Sequence, residues 1–409
     1  MVFLRDFRFG NRYISHHALL LIRFYLAQFY YLGLMRLRYE RARNRLHLTE
    51  YSVTISRMIS LPFAYFLSLA LLHPYKLLMH WQPYFFACVL LLQPRHVYER
   101  RVRLMNRFLQ LAGQLYRRSR RKLKLSWLLI LQLAIKFLSF RLIYVSYDLS
   151  RAHEIETVVM IALVFTLPVT LTIWLMDMSQ HLVSIGLTLL IKSFDILDDE
   201  MAQVMKMMSV HVIKAQYGQV RQLHRRLRIL QHLYLAYGQL TQQLLNCWAP
   251  QLFLIIVYNI TLIYSLSSAH WKHLFSISLL IYSLLMLFKS LDNLVCLSRA
   301  SRQTSWRSVA KQLEFDQLLA QYCWLERRRI GYGYVQHGDT CGQIVRRSWT
   351  HPRLKVLGLL TPNRKLFFRL LFAYFSYLHL HFMWKRMLPV VKKEIFLSSE
   401  IEMVYKYVD

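Results

Sequence analysis

The chain has 409 residues, of which 56% are hydrophobic and 14% aromatic, and its 53 Lys and Arg against 21 Asp and Glu leave a net charge of +32. A soluble domain does not carry several charge-free runs long enough to approach a bilayer crossing, and a nucleic-acid binder would explain the charge but not those runs. An integral membrane protein explains both, because basic residues gather in cytoplasmic loops against an anionic leaflet.

Residues 1–56 are expected to form a cytoplasmic N-terminal segment. No short apolar core with a small-residue cleavage site stands there, so the first span is expected to act as its own signal. Within the segment, 17–35 is apolar and aromatic, interrupted by Arg23 and followed by Arg36, Arg38, Arg41, Arg43 and Arg45. It reads either as a crossing or, preferably, as an amphipathic helix lying on the cytoplasmic face.

The charge-free runs 58–75 and 77–94 read as the first two spans, joined by a short turn at His73 to Lys76, with Pro83 near an outer helix start. Residues 95–124 then hold eleven Lys and Arg and one acid, Glu99. That imbalance places the loop, and with it the N-terminus, in the cytoplasm. The third span, 125–147, carries Lys136 and Arg141, which must snorkel, pair or face a wet cavity. The fourth, 157–176, contains Pro168, an expected kink. From 177 to 246, Gln, His and basic residues alternate with Leu and Met at helical periodicity, which predicts long helices running from spans four and five into the cytoplasm. Spans five and six are 247–268, entered at Trp248-Ala249-Pro250, and 271–288. A third basic cytoplasmic stretch, 289–369, follows. Its Gly331-Tyr332-Gly333-Tyr334 reads as a surface loop and fits no phosphate-binding pattern.

The last span is 366–385. The fifteen residues from Leu370 to Trp384 are uncharged, short of the about 20 a crossing takes, but Arg369 and Lys385 can snorkel and extend it. The predicted fold class is therefore an all-α integral membrane protein with seven transmembrane helices across 57–386. Residues 387–409 form a C-terminal tail, placed outside by the count of spans. The five cysteines (Cys88, Cys247, Cys296, Cys323, Cys341) are scattered without a CxxC pair and read as packing or incidental thiols. No HExxH occurs, and Asp198-Asp199-Glu200 reads as a helix cap, so no enzyme, cofactor or metal site is expected.

The architecture, with Gly358-Leu359-Leu360, Asn363-Arg364, and Ser376-Tyr377 followed after five residues by Met383-Trp384, resembles the insect gustatory receptors. That family has a Gly-Leu-Phe segment, an Asn-Arg turn, and a last helix with Thr-Tyr, five apolar residues and Gln-Phe. Leu32-Gly33-Leu34 is similar to the family's N-terminal segment. Two departures bear on gating: Met-Trp in place of Gln-Phe removes an amide, and 25 residues follow it. The resemblance implies a ligand-gated cation channel of four like or mixed subunits in the plasma membrane of sensory neurons, each giving its last helix to a central pore. Tyr377, His381, Met383 and Trp384 would then form the constriction, with Tyr377, His381 and Trp384 on one helical face and a ring of Trp or Met closing the pore by dewetting. The competing assignment is packing against neighbouring spans. His379 and His381 point to different faces, against a shared metal.

A tastant pocket would lie among the aromatics of the outer halves of spans two to six: Trp81, Tyr84, Phe140, Tyr144, Tyr147, Tyr258, Tyr264, Trp271 and Tyr282. The alternative for each is an interfacial belt position. Few amides and carboxylates accompany them (Gln82, Asp148, Asn259), which favours bitter or other non-sugar contact chemicals. The partners expected are thus a small-molecule tastant, the lipid membrane and similar subunits, with no nucleic acid. A seven-helix receptor coupled to a G protein is the alternative reading, but it would have an outside N-terminus and an Asn-Pro-x-x-Tyr motif absent here. A secondary transporter is the other, and it would show repeats and broken Gly/Pro helices.

Overall fold

The computed structural model describes residues 13–31, 36–40, 45–50, 95–131, 133–135, 156–214, 216–269, 277–278, 280–294, 307–308, 310–311, 313–314, 317 and 363–406. These are mostly helical, in the elements α1 (His16–Tyr31), β1 (Arg36–Glu40), β2 (Arg45–Glu50), α2 (Arg95–Ser119), α3 (Glu156–Ile213), α4 (Tyr217–Ala269) and α5 (Arg364–Lys406). Residues 280–294 are also helical. The predicted spans 58–75 and 77–94, most of 125–147, and the loop at Gly331 to Tyr334 lie outside the described residues.

The fold is built on an αα-hairpin. α3 and α4 have 58 and 53 residues, so each is about 80 to 90 Å long at 1.5 Å per residue. A hydrocarbon layer of about 30 Å cannot hold either whole. Each contains a predicted span at one end (157–176, 247–268), and the intervening 177–246 supplies the rest, as its periodicity predicts. α3 runs through Pro168 and α4 through Pro250.

The reason these helices pair is legible in α3. Met176, Gln180, Val183, Leu187, Leu190, Phe194, Leu197, Met201, Val204 and Met208 are all buried, and they recur at alternating steps of four and three. That spacing keeps one seam facing a partner along the whole helix. On α4, Val220, Leu227, Leu230, Tyr237 and Leu240 are completely or almost completely buried, at steps of seven and three. Phe194 meets Tyr234 and Tyr237 with ring centroids 5.9 and 6.1 Å apart. At the turn, Gln216 N–H donates to His211 O (2.9 Å), and Val220 N–H to Gln216 O (3.2 Å).

α2 lies on α4. Its Tyr98, Val102, Leu109 and Ala112 are buried, and Arg107 donates to Gln243 Oε1 (3.2 Å) and Gln239 Oε1 (3.1 Å) on α4. Arg117 and Arg118 stand in the last turn, where positive charge opposes the helix dipole. The helix ends at Arg120, whose φ of 57° is left-handed and whose N–H donates to Tyr116 O at 2.8 Å.

The N-terminal segment folds onto this frame. Ser15 N–H donates to Leu123 O (2.9 Å) and Leu123 N–H to Tyr13 O (2.8 Å), a short parallel bridge that leads into α1. α1 buries Ala18, Leu19, Ile22, Tyr25 and Leu26, and leaves Leu20 and Phe24 about half exposed. Tyr25 Oη sits 3.0 Å from His181 Nδ1 on α3. Burial, and then the charge of Asp177, push the Tyr25 phenol above its ordinary value, so the pair is held by a neutral hydroxyl. β1 and β2 form an antiparallel hairpin from Leu37 opposite Leu48 to Glu40 opposite Arg45. Asn106 of α2 clamps it, accepting from Leu46 N–H (2.7 Å) and donating to Leu46 O (2.8 Å). This strand pair departs from the all-α expectation.

One expectation is corrected. Asp198, Asp199 and Glu200 lie in the interior of α3, so they do not cap a helix. Asp199 pairs with Arg121 at 2.8 Å, and Glu200 with Arg226 of α4 at 2.6 Å, where the Glu200 side chain is 4% exposed. A carboxylate this deep depends on its partner, so Arg226→Met is expected to cost about 3 kcal/mol by leaving Glu200 unpaired. Adding Glu200→Leu should recover most of that loss in thermal unfolding of the purified protein.

Candidate functional site

α5 is the element on which the resemblance puts the pore. Asn363 caps it, accepting from Leu366 N–H through Oδ1 at 2.8 Å, while Phe367 N–H reaches Asn363 O at 3.1 Å. Arg364 then ties this end to the helical residues 280–294. Its Nε lies 3.1 Å from Asp292 Oδ2, and its Nη2 donates to Asn293 Oδ1. Phe367 packs on Phe288, ring centroids 6.0 Å apart. The Asn-Arg pair of the sequence motif is therefore a fastening: Asn363 starts the helix and Arg364 hooks it to the preceding one.

Beyond its base, α5 is barely covered. Phe367 and Tyr374 are buried, seven residues apart, and Leu370, Leu371 and Leu378 pack beside them. Together they make a narrow stripe along one side of the helix. Phe368, Phe372, Phe375, Leu380, Phe382, Met383, Trp384 and Met387 are exposed, Phe372 to 75% and Trp384 to 67%. The helix does not stop at 385; it continues through Lys406, across most of the predicted tail.

The predicted gate residues all lie on this helix. Tyr377 and His381 stack, with centroids 5.9 Å apart and planes 16° from parallel, as residues four apart on one face can. Trp384 follows one turn later on that face. Met383 is turned about 100° from Trp384 by the helical rotation, so the two present different faces of one helix. Ser376 is half-buried. Gly358 and Leu359 lie outside the described residues.

Of the predicted ligand residues, the side chains of Tyr258 and Tyr282 are among those described. Tyr258 is buried inside the bundle and Tyr282 is 43% exposed. Trp81, Tyr84, Phe140, Tyr144, Tyr147 and Trp271 lie outside the described residues, as does the side chain of Tyr264. Next to Tyr258, however, a polar cluster links three elements. Asn259 Nδ2 donates to Ile255 O (2.7 Å) and to Gln180 Oε1 (3.3 Å), and Gln180 Nε2 donates to Ser283 Oγ (3.3 Å). All three side chains are buried. A cavity of about 10 Å³ beside them is lined by Gln180, His181, Ser184, Ser283 and Ser290, room for one water with several polar partners. Gln180 and Ser283 carried no sequence signal; only their meeting across helices reveals them.

A larger cavity, about 150 Å³, opens between α1, β2, α2, α3 and α4 and is lined almost wholly by apolar side chains. None of the sequence-selected residues lines it. Among the described residues no group of three or more His, Cys, Asp or Glu could hold a metal, and Cys247 is a half-buried free thiol.

If Asn363 fastens α5, Asn363→Ala should cost about 1 kcal/mol in helix-cap energy, and hydrogen exchange should speed up over 364–370. Asn363→Ser should restore protection, since its hydroxyl can take the same N–H.

Three stretches among the described residues are long and apolar enough to cross a membrane: Met176–Ile213, Gly218–Thr261 and Arg364–Trp384. No family model matches the chain, and no curated protein does.

Proposed function

We propose that this protein is a gustatory-type chemoreceptor, a ligand-gated cation channel of four like or mixed subunits that responds to bitter or other non-sugar contact chemicals. It would work in the plasma membrane of sensory neurons, with the N-terminus inside and α5 lining a central pore. The observation that supports this reading is the disparity between the three apolar helices. In their most apolar windows, 61% of residues in Met176–Ile213 and 50% in Gly218–Thr261 are buried, against 11% in Arg364–Trp384. A helix this apolar and this little covered offers surface to lipid and to other copies of the chain. Four such helices around an axis would put Trp384 or Met383 at a constriction near the end of the stretch, where large apolar rings can exclude water and ions.

Expressed in cells without endogenous receptors, the protein is expected to give cation currents to alkaloid-type bitter compounds and none to sugars. Trp384→Ala should raise the current without ligand, by removing the largest side chain from the constriction. Epitope tags should find the N-terminus inside and the C-terminus outside. An outside N-terminus would sink the proposal, as would a receptor that responds to ligand but whose leak and gating ignore Trp384→Ala.

A further inference from the structure

The end of α2 sets a serine in a basic corner. From Tyr116 to Lys122 the chain reads Tyr-Arg-Arg-Ser-Arg-Arg-Lys, with five cations around Ser119, and no Asp or Glu occurs between Glu99 and Asp148. Arg117, Arg118, Arg120, Arg121 and Lys122 are all exposed, and Ser119 is half-buried. Two ion pairs tie this corner to the hairpin. Arg121 meets Asp199 of α3 at 2.8 Å, near the surface, and Arg226 of α4 meets the buried Glu200 at 2.6 Å. Arg226 Nη2 also lies 3.5 Å from Arg118 O.

The backbone prepares Ser119 for an anion. Its Oγ donates to Leu115 O (3.0 Å) and accepts from the N–H of Arg121 (3.2 Å). Between them stands Arg120, left-handed with φ 57°. A helical residue followed by a left-handed one turns successive N–H groups towards a common concavity that suits negative charge. Ser119 Oγ already stands where the Arg121 N–H points. The residues 120–122 that follow have no regular structure. Opening the last turn of α2 breaks the Arg120 N–H to Tyr116 O bond (2.8 Å) and the serine's own bond to Leu115, and helix ends are where such opening costs least. Ser126, the next serine along, is differently placed. Its Oγ accepts from Leu129 N–H at 3.2 Å, as a cap does, and the exposed Trp127 and Leu128 follow it.

We propose that Ser119 is a phosphorylation site for a protein kinase that selects basic substrates, and that its phosphate takes Arg121 from Asp199. An acidic substrate cleft is complementary to the five cations, and that charge match selects Ser119. In the transfer, Ser119 Oγ bonds to the terminal phosphorus of a nucleoside triphosphate, the bond from that phosphorus to its bridging oxygen breaks, and nucleoside diphosphate leaves. The hydroxyl proton passes to a carboxylate of the kinase. The product carries a charge of about −1.5 to −2 at pH 7. At a bare helix C-terminus that charge would be unfavourable; here the neighbouring cations and the Arg121 N–H offset it. Asp199, 65% exposed, returns to water at little cost. The modification therefore loosens the tie between the segment after α2 and α3, and leaves the buried Glu200–Arg226 pair in place. The inference rests on the cytoplasmic placement of 95–124 and not on channel activity.

The test treats the purified full-length protein with ATP and the catalytic domain of either protein kinase C, which prefers basic substrates, or a casein kinase that prefers acidic ones. Fragmentation mass spectrometry then locates the phosphate. Ser119 should be modified about tenfold faster by the first enzyme, the size of one charge-assisted contact, and Ser119→Ala should lack that phosphopeptide. Hydrogen exchange over 119–124 reads where the phosphate goes. Before treatment, Asp199→Asn should exchange about threefold faster than the unaltered protein, as loss of a surface ion pair allows; after treatment the two should exchange alike. Cells expressing the protein and treated with a phorbol ester should carry phosphate at Ser119. An unmodified Ser119, equal rates with both kinases, or phosphate at Ser126 instead would overturn the site. A difference between Asp199→Asn and the unaltered protein that persists after treatment would overturn the transfer of Arg121. Phosphate on the purified protein but none in cells would overturn the site's use, and epitope tags then tell a loop that faces outside from one that faces the cytosol unmodified.

Discussion

The structure depends on the long seam between α3 and α4. Ten buried positions of α3, from Met176 to Met208, keep to steps of four and three, and that regularity lets two helices stay in contact far beyond the thickness of a bilayer. The other elements attach to this rod at discrete points. α1 attaches through Tyr25 and His181, α2 through Arg107 and its buried apolar face, and the loop after α2 through Arg121. α5 differs: Asn363 and Arg364 fasten its start, and little of its most apolar stretch is covered. Among the described residues, a packed frame can thus be told from one sparsely covered apolar helix.

One member of the seam is polar. Gln180 sits where every other α3 position is hydrophobic, and it joins Asn259 to Ser283. Sliding α3 by one turn would move it about 5.4 Å and leave three buried polar groups without partners, at about 1 to 3 kcal/mol each. An all-apolar seam tolerates such slips; a single amide fixes the register. The same logic operates at the hairpin, where Asn106 reads the backbone of Leu46 from both sides and so selects one docking position for a strand pair.

What the sequence made legible follows from what periodicity can carry. The helical character of 177–246 was readable because its apolar residues repeat at one step, and the last apolar segment because it lacks charge. The hairpin at 36–50 was not read as one, although Arg36-Leu37-Arg38-Tyr39 and Arg45-Leu46-His47-Leu48 alternate, because a run of arginines suggests a solvated flank before it suggests a strand. Asp198 to Glu200 looked like a helix boundary because acids gather there; their ion-pair partners, Arg121 and Arg226, are too far away in sequence for local patterns to reveal them. Arg101 was one of eleven basic residues in a loop, and only its burial against Trp248 separates it from the rest. The larger cavity was invisible for the same reason, since its walls come from separate elements.

The length of α4 has a mechanical consequence. A rod of about 80 Å acts as a lever: a tilt of about 5° at one end displaces the other by about 7 Å, more than one helical turn. Pro250 lacks the N–H that would bond back to residue 246, so α4 is softest there, between its apolar C-terminal part and the long remainder packed on α2 and α3. A change in how the apolar part sits would thus be taken up at Pro250 before it reached the turn between α3 and α4.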